Sequence, residues 1–201
     1  MSLTNSYWPD GPLILNFESP LPVMSRDDFF TFCQQNPDLR IERTADGEIV
    51  IMTPAGLESS RRNSDLSMQL AIWSKQDGTG IAFDSSGGFW ITERAMRSPD
   101  AAWMRRERWE AISSNERKKF APLVPDFVVE LRSETDRLSQ LRAKMQEYID
   151  NGVRLAWLID PIKRRVEIYR PGQAATIIEG PSQITGDPEL PGFTLDLTSI
   201  W

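Results

Sequence analysis

At 201 residues and 40% hydrophobic content, the chain is long enough to bury one substantial core and has the make-up of an ordinary globular domain. It contains no histidine and one cysteine, Cys33, which excludes an intrachain disulfide, a Cys/His zinc site and the usual Ser-His-Asp and Cys-His nucleophiles. Its net charge of −6, from 23 basic and 29 acidic residues, disfavours long-range attraction to a polyanion.

Catalysis in such a chain has to run on carboxylates, lysine, tyrosine or a metal ion. Clusters such as Arg61-Arg62, Arg105-Arg106-Arg108, Arg117-Lys118-Lys119 and Lys163-Arg164-Arg165 can still give a local positive face. No apolar run approaches the ~20 residues that cross a bilayer. No Lys or Arg precedes Arg26, so the positive region of a secretory signal is missing. The expectation is a cytoplasmic protein with no membrane partner.

In chain order, residues 1–24 hold four prolines and little periodicity, and read as an extended N-terminal arm. Residues 25–201 are expected to form a single domain. Ser25 followed by Arg26-Asp27-Asp28 reads as an N-cap with acids in the first turn of a short helix that Asn36-Pro37 ends. Leu39–Thr44 and Glu48–Thr53 flank Ala45-Asp46-Gly47 as a β-hairpin.

A helix over 57–76 carries Leu66, Leu70 and Trp73 on one side and Met68 and Ile72 on another, which predicts cover on both sides and suggests a homodimer. Short strands follow at 81–84 and 88–92. The charged segment 105–119, with Trp109 and Ile112 at helical spacing, reads as a helical excursion. The strongest strand covers 122–131. A helix over 135–151 closes at Gly152, and strands recur at 153–159, 165–169, 175–178 and in the tail 193–201. This order predicts an α/β (α+β) fold, a central mixed β-sheet flanked by helices.

Alternation along the strand places Asp126, Glu130 and Arg132 on one face and Phe127, Val129 and Leu131 on the other. A carboxylate in so apolar a strand needs a partner, because an unpaired buried charge costs several kcal/mol. A salt bridge from Glu130 to Arg132, or a strand end at Glu130, would meet that need; so would a metal. Asp100, after Pro99, would add a second carboxylate if its strand lies beside 124–131. Two oxygen ligands suit Mg²⁺, which keeps several waters. On the following helix Lys144 and Tyr148 stand one turn apart beside the stripe Leu138, Leu141, Met145 and Ile149. Lys144 can reach toward Glu130, or simply snorkel to solvent.

The stretches Arg97-Ser98-Pro99-Asp100, Pro125 through Ser133, Lys144-Met145-Gln146-Glu147-Tyr148 and Asn151-Gly152-Val153 through Trp157-Leu158-Ile159-Asp160-Pro161 resemble, in order and spacing, the Uma2 (DUF820) branch of the PD-(D/E)xK nuclease superfamily. The resemblance runs from about Ser25 to Leu197. It implies a restriction endonuclease-like core, DNA as substrate, and a divalent metal, Mg²⁺ or Mn²⁺, held by Asp100 and Glu130. It points to Lys144 as the catalytic lysine, with Arg132, Asp126 and Tyr148 as auxiliaries. It also implies Glu58, early in the first core helix, as a third acidic ligand, although plain solvent exposure fits Glu58 as well. Many members have a histidine after that glutamate, whereas this chain has Ser59-Ser60. The alternative function is a non-catalytic homodimeric scaffold that keeps the nuclease fold.

Overall fold

A computed structural model of the chain describes residues 13–15 and 24–201. The expected N-terminal arm lies outside the described residues apart from Met24 and strand β1 (Leu13–Leu15). Helix α1 (Arg26–Gln35) begins as anticipated: the Ser25 hydroxyl accepts from the Asp28 N–H at 3.1 Å, and the Asp28 carboxylate accepts from the Ser25 N–H at 3.3 Å. The hairpin β2 (Arg40–Arg43) and β3 (Ile49–Met52) turns through Gly47, whose φ of 92° favours glycine.

Helix α2 (Leu57–Asp77) ends at a left-handed Gly78. Strands β4 (Gly80–Asp84), β5 (Phe89–Trp90), β6 (Met96–Arg97) and β7 (Ala101–Arg105) precede helix α3 (Arg106–Ala111). Strand β8 (Phe127–Leu131), helix α4 (Leu138–Asp150) and strand β9 (Leu155–Asp160) form a parallel crossover unit. The chain closes with β10 (Arg165–Tyr169), β11 (Thr176–Glu179), β12 (Gln183–Thr185) and β13 (Thr194–Asp196).

The central sheet is mixed and six-stranded, ordered β11-β10-β9-β8-β7-β4, with β8 and β9 parallel and the remaining pairs antiparallel. A second sheet, ordered β1-β3-β2-β6-β5, extends the expected hairpin with strands far off in sequence. The period-2 reading of β8 holds. Phe127, Val129 and Leu131 enter the core layer shared with Leu66 and Leu70 of α2, with Trp157 and with Phe193. Val128 enters the opposite layer with Met145, Tyr148 and Ile149 of α4. A third cluster packs Phe29 of α1 on Ile41, Ile49, Trp90 and Met96 of the second sheet.

Three segments differ from the sequence reading. The strand expected over 122–131 starts at Phe127, since Pro122 and Pro125 cannot donate to a ladder. The helix expected from 135 starts at Leu138, because the Asp136 carboxylate accepts from the Ser133 N–H at 2.7 Å and holds a turn there. The excursion at 105–119 breaks after α3: Ser113 and Glu116 cap each other reciprocally and start a separate 3₁₀ turn at Glu116–Lys118. On α2, Leu66 and Leu70 are buried, while Met68 and Ile72 are 52% and 50% exposed in the chain.

Phe193 stacks on Trp157 at 5.7 Å and also meets Trp73 and Phe127, so it anchors the C-terminal hairpin β12–β13 under the sheet. Phe193→Ala is expected to lower stability by about 3–5 kcal/mol. Urea unfolding reads this directly, and a loss below about 1 kcal/mol would show that the hairpin does not depend on this contact.

Candidate active site

Strands β7 and β8 pair with Ala101 opposite Val129, so the next pair in the same register is Asp100 and Glu130. The two carboxylates therefore stand together at the C-terminal end of β8, both buried, at 9% and 5% exposure. One Asp100 oxygen accepts the Leu131 N–H at 2.8 Å; the other accepts the Asn63 amide at 3.2 Å and lies 3.7 Å from the Arg40 guanidinium. Glu130 falls on the α4 face of the strand. There its Oε1 accepts the Tyr148 hydroxyl at 2.8 Å and lies 2.8 Å from the Lys144 ammonium. Helical spacing makes this convergence possible, because residues i and i+4 share a face.

Lys144 has a second carboxylate partner. Its Nζ donates to Glu42 Oε1 at 3.0 Å, across from β2 of the second sheet. The same Glu42 oxygen accepts the Ser98 N–H at 2.9 Å, and Oε2 lies 3.3 Å from Arg97, whose Nε donates to Glu147 at 2.7 Å. Glu42 is 2% exposed. Sequence reasoning missed it: in Arg40-Ile41-Glu42-Arg43 it looks like the wet face of a hairpin, and the cover over it comes from β6 and α4, distant in sequence. Arg97 was visible in the Arg97-Ser98-Pro99-Asp100 motif, but its link to Glu42 was not.

Burial and charge set the protonation of this cluster. Burial pushes the Glu130 carboxyl up to about 7, against the pull of Lys144 and with added repulsion from Asp100 and Glu42. Burial also raises Asp100, with Arg40 and the Leu131 N–H offsetting part of it. For Glu42 burial acts upward too, but Lys144 and Arg97 outweigh it and hold the group below the usual carboxylate range. Burial lowers Lys144 less than Glu130 and Glu42 raise it, so the ammonium is favoured. Burial, then the Glu130 charge, raises the Tyr148 hydroxyl and keeps it a donor.

The remaining expected site residues lie elsewhere. Glu58 does not join the pair: it is 58% exposed and binds Arg61 at 2.6 Å and Arg62 at 3.3 Å, and Asn63 is the α2 side chain that reaches Asp100. The helical offset between positions 58 and 63, about 140° at 3.6 residues per turn, separates them. Arg132 turns to Asp160 at 2.8 Å rather than to Glu130. Asp126 sits at the opposite end of β8, where it accepts the Arg105 N–H at 2.9 Å and pairs with Arg108 at 3.0 Å. Among the described residues no three acidic or sulfur side chains stand close enough to hold an ion by themselves. A divalent ion here would rest on Asp100 and Glu130 with waters completing its shell, a hard-oxygen donor set that fits Mg²⁺ or Mn²⁺.

The raised Glu130 carboxyl has a measurable consequence. It keeps its proton in the folded state up to about pH 7, whereas the unfolded group releases it near the ordinary 4.5. Between those limits the folded state binds more protons, so this group's contribution to stability falls as pH rises. In metal-free buffer, Glu130→Gln is expected to gain stability relative to the unsubstituted protein from the lower to the upper end of that window, measured by urea unfolding at both ends. A pH-independent difference would contradict a raised Glu130.

The Uma2 family model, described as "Putative restriction endonuclease", matches residues 26–198. Among solved structures, the fold is similar to that of the "Crystal structure of a putative nuclease belonging to DUF820 from Anabaena variabilis ATCC 29413", with a TM-score of 0.72 over 88% of this chain and 96% of that one, at 18% identity. No curated protein matches. Among the described residues no helix is long and apolar enough to cross a membrane. With nearly its whole length matched and the fold in agreement, the chain belongs to the Uma2 family of restriction endonuclease-like proteins.

Proposed function

We propose that the protein is a metal-dependent endonuclease that hydrolyses phosphodiester bonds of DNA, with Asp100 and Glu130 holding Mg²⁺ or Mn²⁺. The observation that carries this reading is the pair of buried carboxylates, Asp100 just ahead of β7 and Glu130 on neighbouring β8, with a lysine against the second. Family membership supports a nucleic acid as the polymer acted on. A divalent cation supplies, when bound, a water of lowered pKa and neutralisation of the phosphate charge.

The chain's own groups provide the rest. The Leu131 N–H and the Asn63 amide fix the Asp100 carboxylate, and the Tyr148 hydroxyl fixes Glu130. Each is thus oriented before substrate arrives, which removes reorganisation from the reaction step. Lys144, a largely buried ammonium on the Glu130 side, stabilises negative charge that grows on the phosphate oxygens and helps hold the attacking water. Arg132 and Asp126 serve the frame rather than the reaction, since both are engaged in ion pairs away from Glu130.

Two measurements test the assignment. Calorimetry with Mg²⁺ or Mn²⁺ and nicking of supercoiled plasmid should both give signal for the unsubstituted protein, and both should vanish in Glu130→Ala. No binding at millimolar metal would end the reading. Lys144→Met should keep metal binding and reduce nicking about 10²–10³-fold. By contrast, Glu58→Ala should change metal affinity less than about twofold, because surface ion pairs with Arg61 and Arg62 contribute little. A tenfold loss in Glu58→Ala would restore that glutamate as a ligand.

A further inference from the structure

Lys144 bridges two buried carboxylates, Glu130 at 2.8 Å and Glu42 at 3.0 Å. If the lysine merely neutralised Glu130, one carboxylate would be enough, and burying a second beside it would add desolvation cost. Glu42 is also held harder than its partner. Its two oxygens take the Ser98 N–H, the Arg97 guanidinium and Lys144, and Arg97 is itself braced by Glu147. Among the described residues Glu130 has only the Tyr148 hydroxyl besides the lysine. The anion on the far side of the ammonium is therefore the fixed one.

We propose that Glu42 is the positioning residue for Lys144: it keeps the ammonium in place as counter-ion when Glu130 turns its charge to a divalent cation. This inference rests on the metal-dependent reading above. In that loaded state Glu130 can no longer neutralise the lysine, and a buried ammonium facing added positive charge without an anion would be expelled or would oppose metal uptake. Glu42 stands already within hydrogen-bond distance, so Lys144 leans on it without changing place. Through the Ser98 N–H, Glu42 also fastens the segment that carries Asp100 two residues later. The second sheet thereby contributes a further residue to the site, beside Arg40 at Asp100.

The test is a calorimetric cycle of Mg²⁺ affinity over the unsubstituted protein, Glu42→Gln, Lys144→Met and the double variant, with unfolding midpoints measured on each. Glu42→Gln keeps shape and acceptor oxygen and is expected to weaken Mg²⁺ about 10- to 100-fold, the range found when a group behind the ligands is removed. In the Lys144→Met background the same substitution should cost less than about twofold, since no ammonium remains to be held. A Glu42 that acted only through its field would weaken Mg²⁺ as much or more without the lysine, and that result overturns the proposal. Glu179→Gln, which pairs with Arg165 on the edge strand β11 away from the site, should leave affinity unchanged. If Glu42→Gln does not fold, Glu42→Asp, which withdraws the carboxylate by one methylene, replaces it in the cycle with the same expected direction. Unsubstituted protein that binds Mg²⁺, with Glu42→Gln within twofold of it, refutes the role of Glu42 alone. Unsubstituted protein that fails to bind Mg²⁺ refutes the metal-dependent reading and the role together.

Discussion

The structure turns on the burial of one carboxylate. All five residues of β8 are buried, and Glu130 is among them. An ionised side chain there is tolerated only with partners, and those come from α4, where Lys144 and Tyr148 present a cation and a donor one helical turn apart. That requirement sets which face of α4 meets the sheet, with Met145 and Ile149 completing the apolar contact beside the polar pair. It also brings in the second sheet, because the same lysine reaches Glu42. Two sheets and a helix thus meet at a single ammonium group.

The arrangement is electrostatically poised in a direction that suits cation uptake. Asp100 and Glu130 stand side by side and both resist ionisation, so added positive charge between them relieves burial and mutual repulsion at once. Glu42, by contrast, is stabilised as an anion by Lys144 and Arg97. Neighbouring carboxylates in one cluster are thereby given different tendencies by their surroundings alone. The overall negative charge of the chain does not bear on this, since the fields that matter act over a few ångströms inside a low-dielectric site.

Much of this was legible in the sequence because it is local. Alternation along β8 and the four-residue spacing on α4 are short-range patterns, and both survive in the structure. The pairing of β7 with β8, which brings Asp100 to Glu130, stood in the sequence only as a condition, because two strand-forming stretches do not say that they are neighbours. Glu42 was not legible, since its burial depends on β6 and α4 arriving from more than fifty residues away. Glu58 was misplaced for a related reason: its order along the chain matched expectation, but the rotation of α2 that presents Asn63 to Asp100 is set by how Leu66 and Leu70 pack. Arg132 and Asp126 share the face parity of Glu130, yet the strand ends between them and each finds a nearer partner.

Joint ligation of one divalent ion by Asp100 and Glu130 is the proposal on which the rest depends. Crystals soaked in Mn²⁺ and measured at the manganese absorption edge test it most directly. An anomalous peak in contact with carboxylate oxygens of both residues, lost in Glu130→Ala crystals, is expected. A peak bound elsewhere, or none at full soaking concentration, would contradict it.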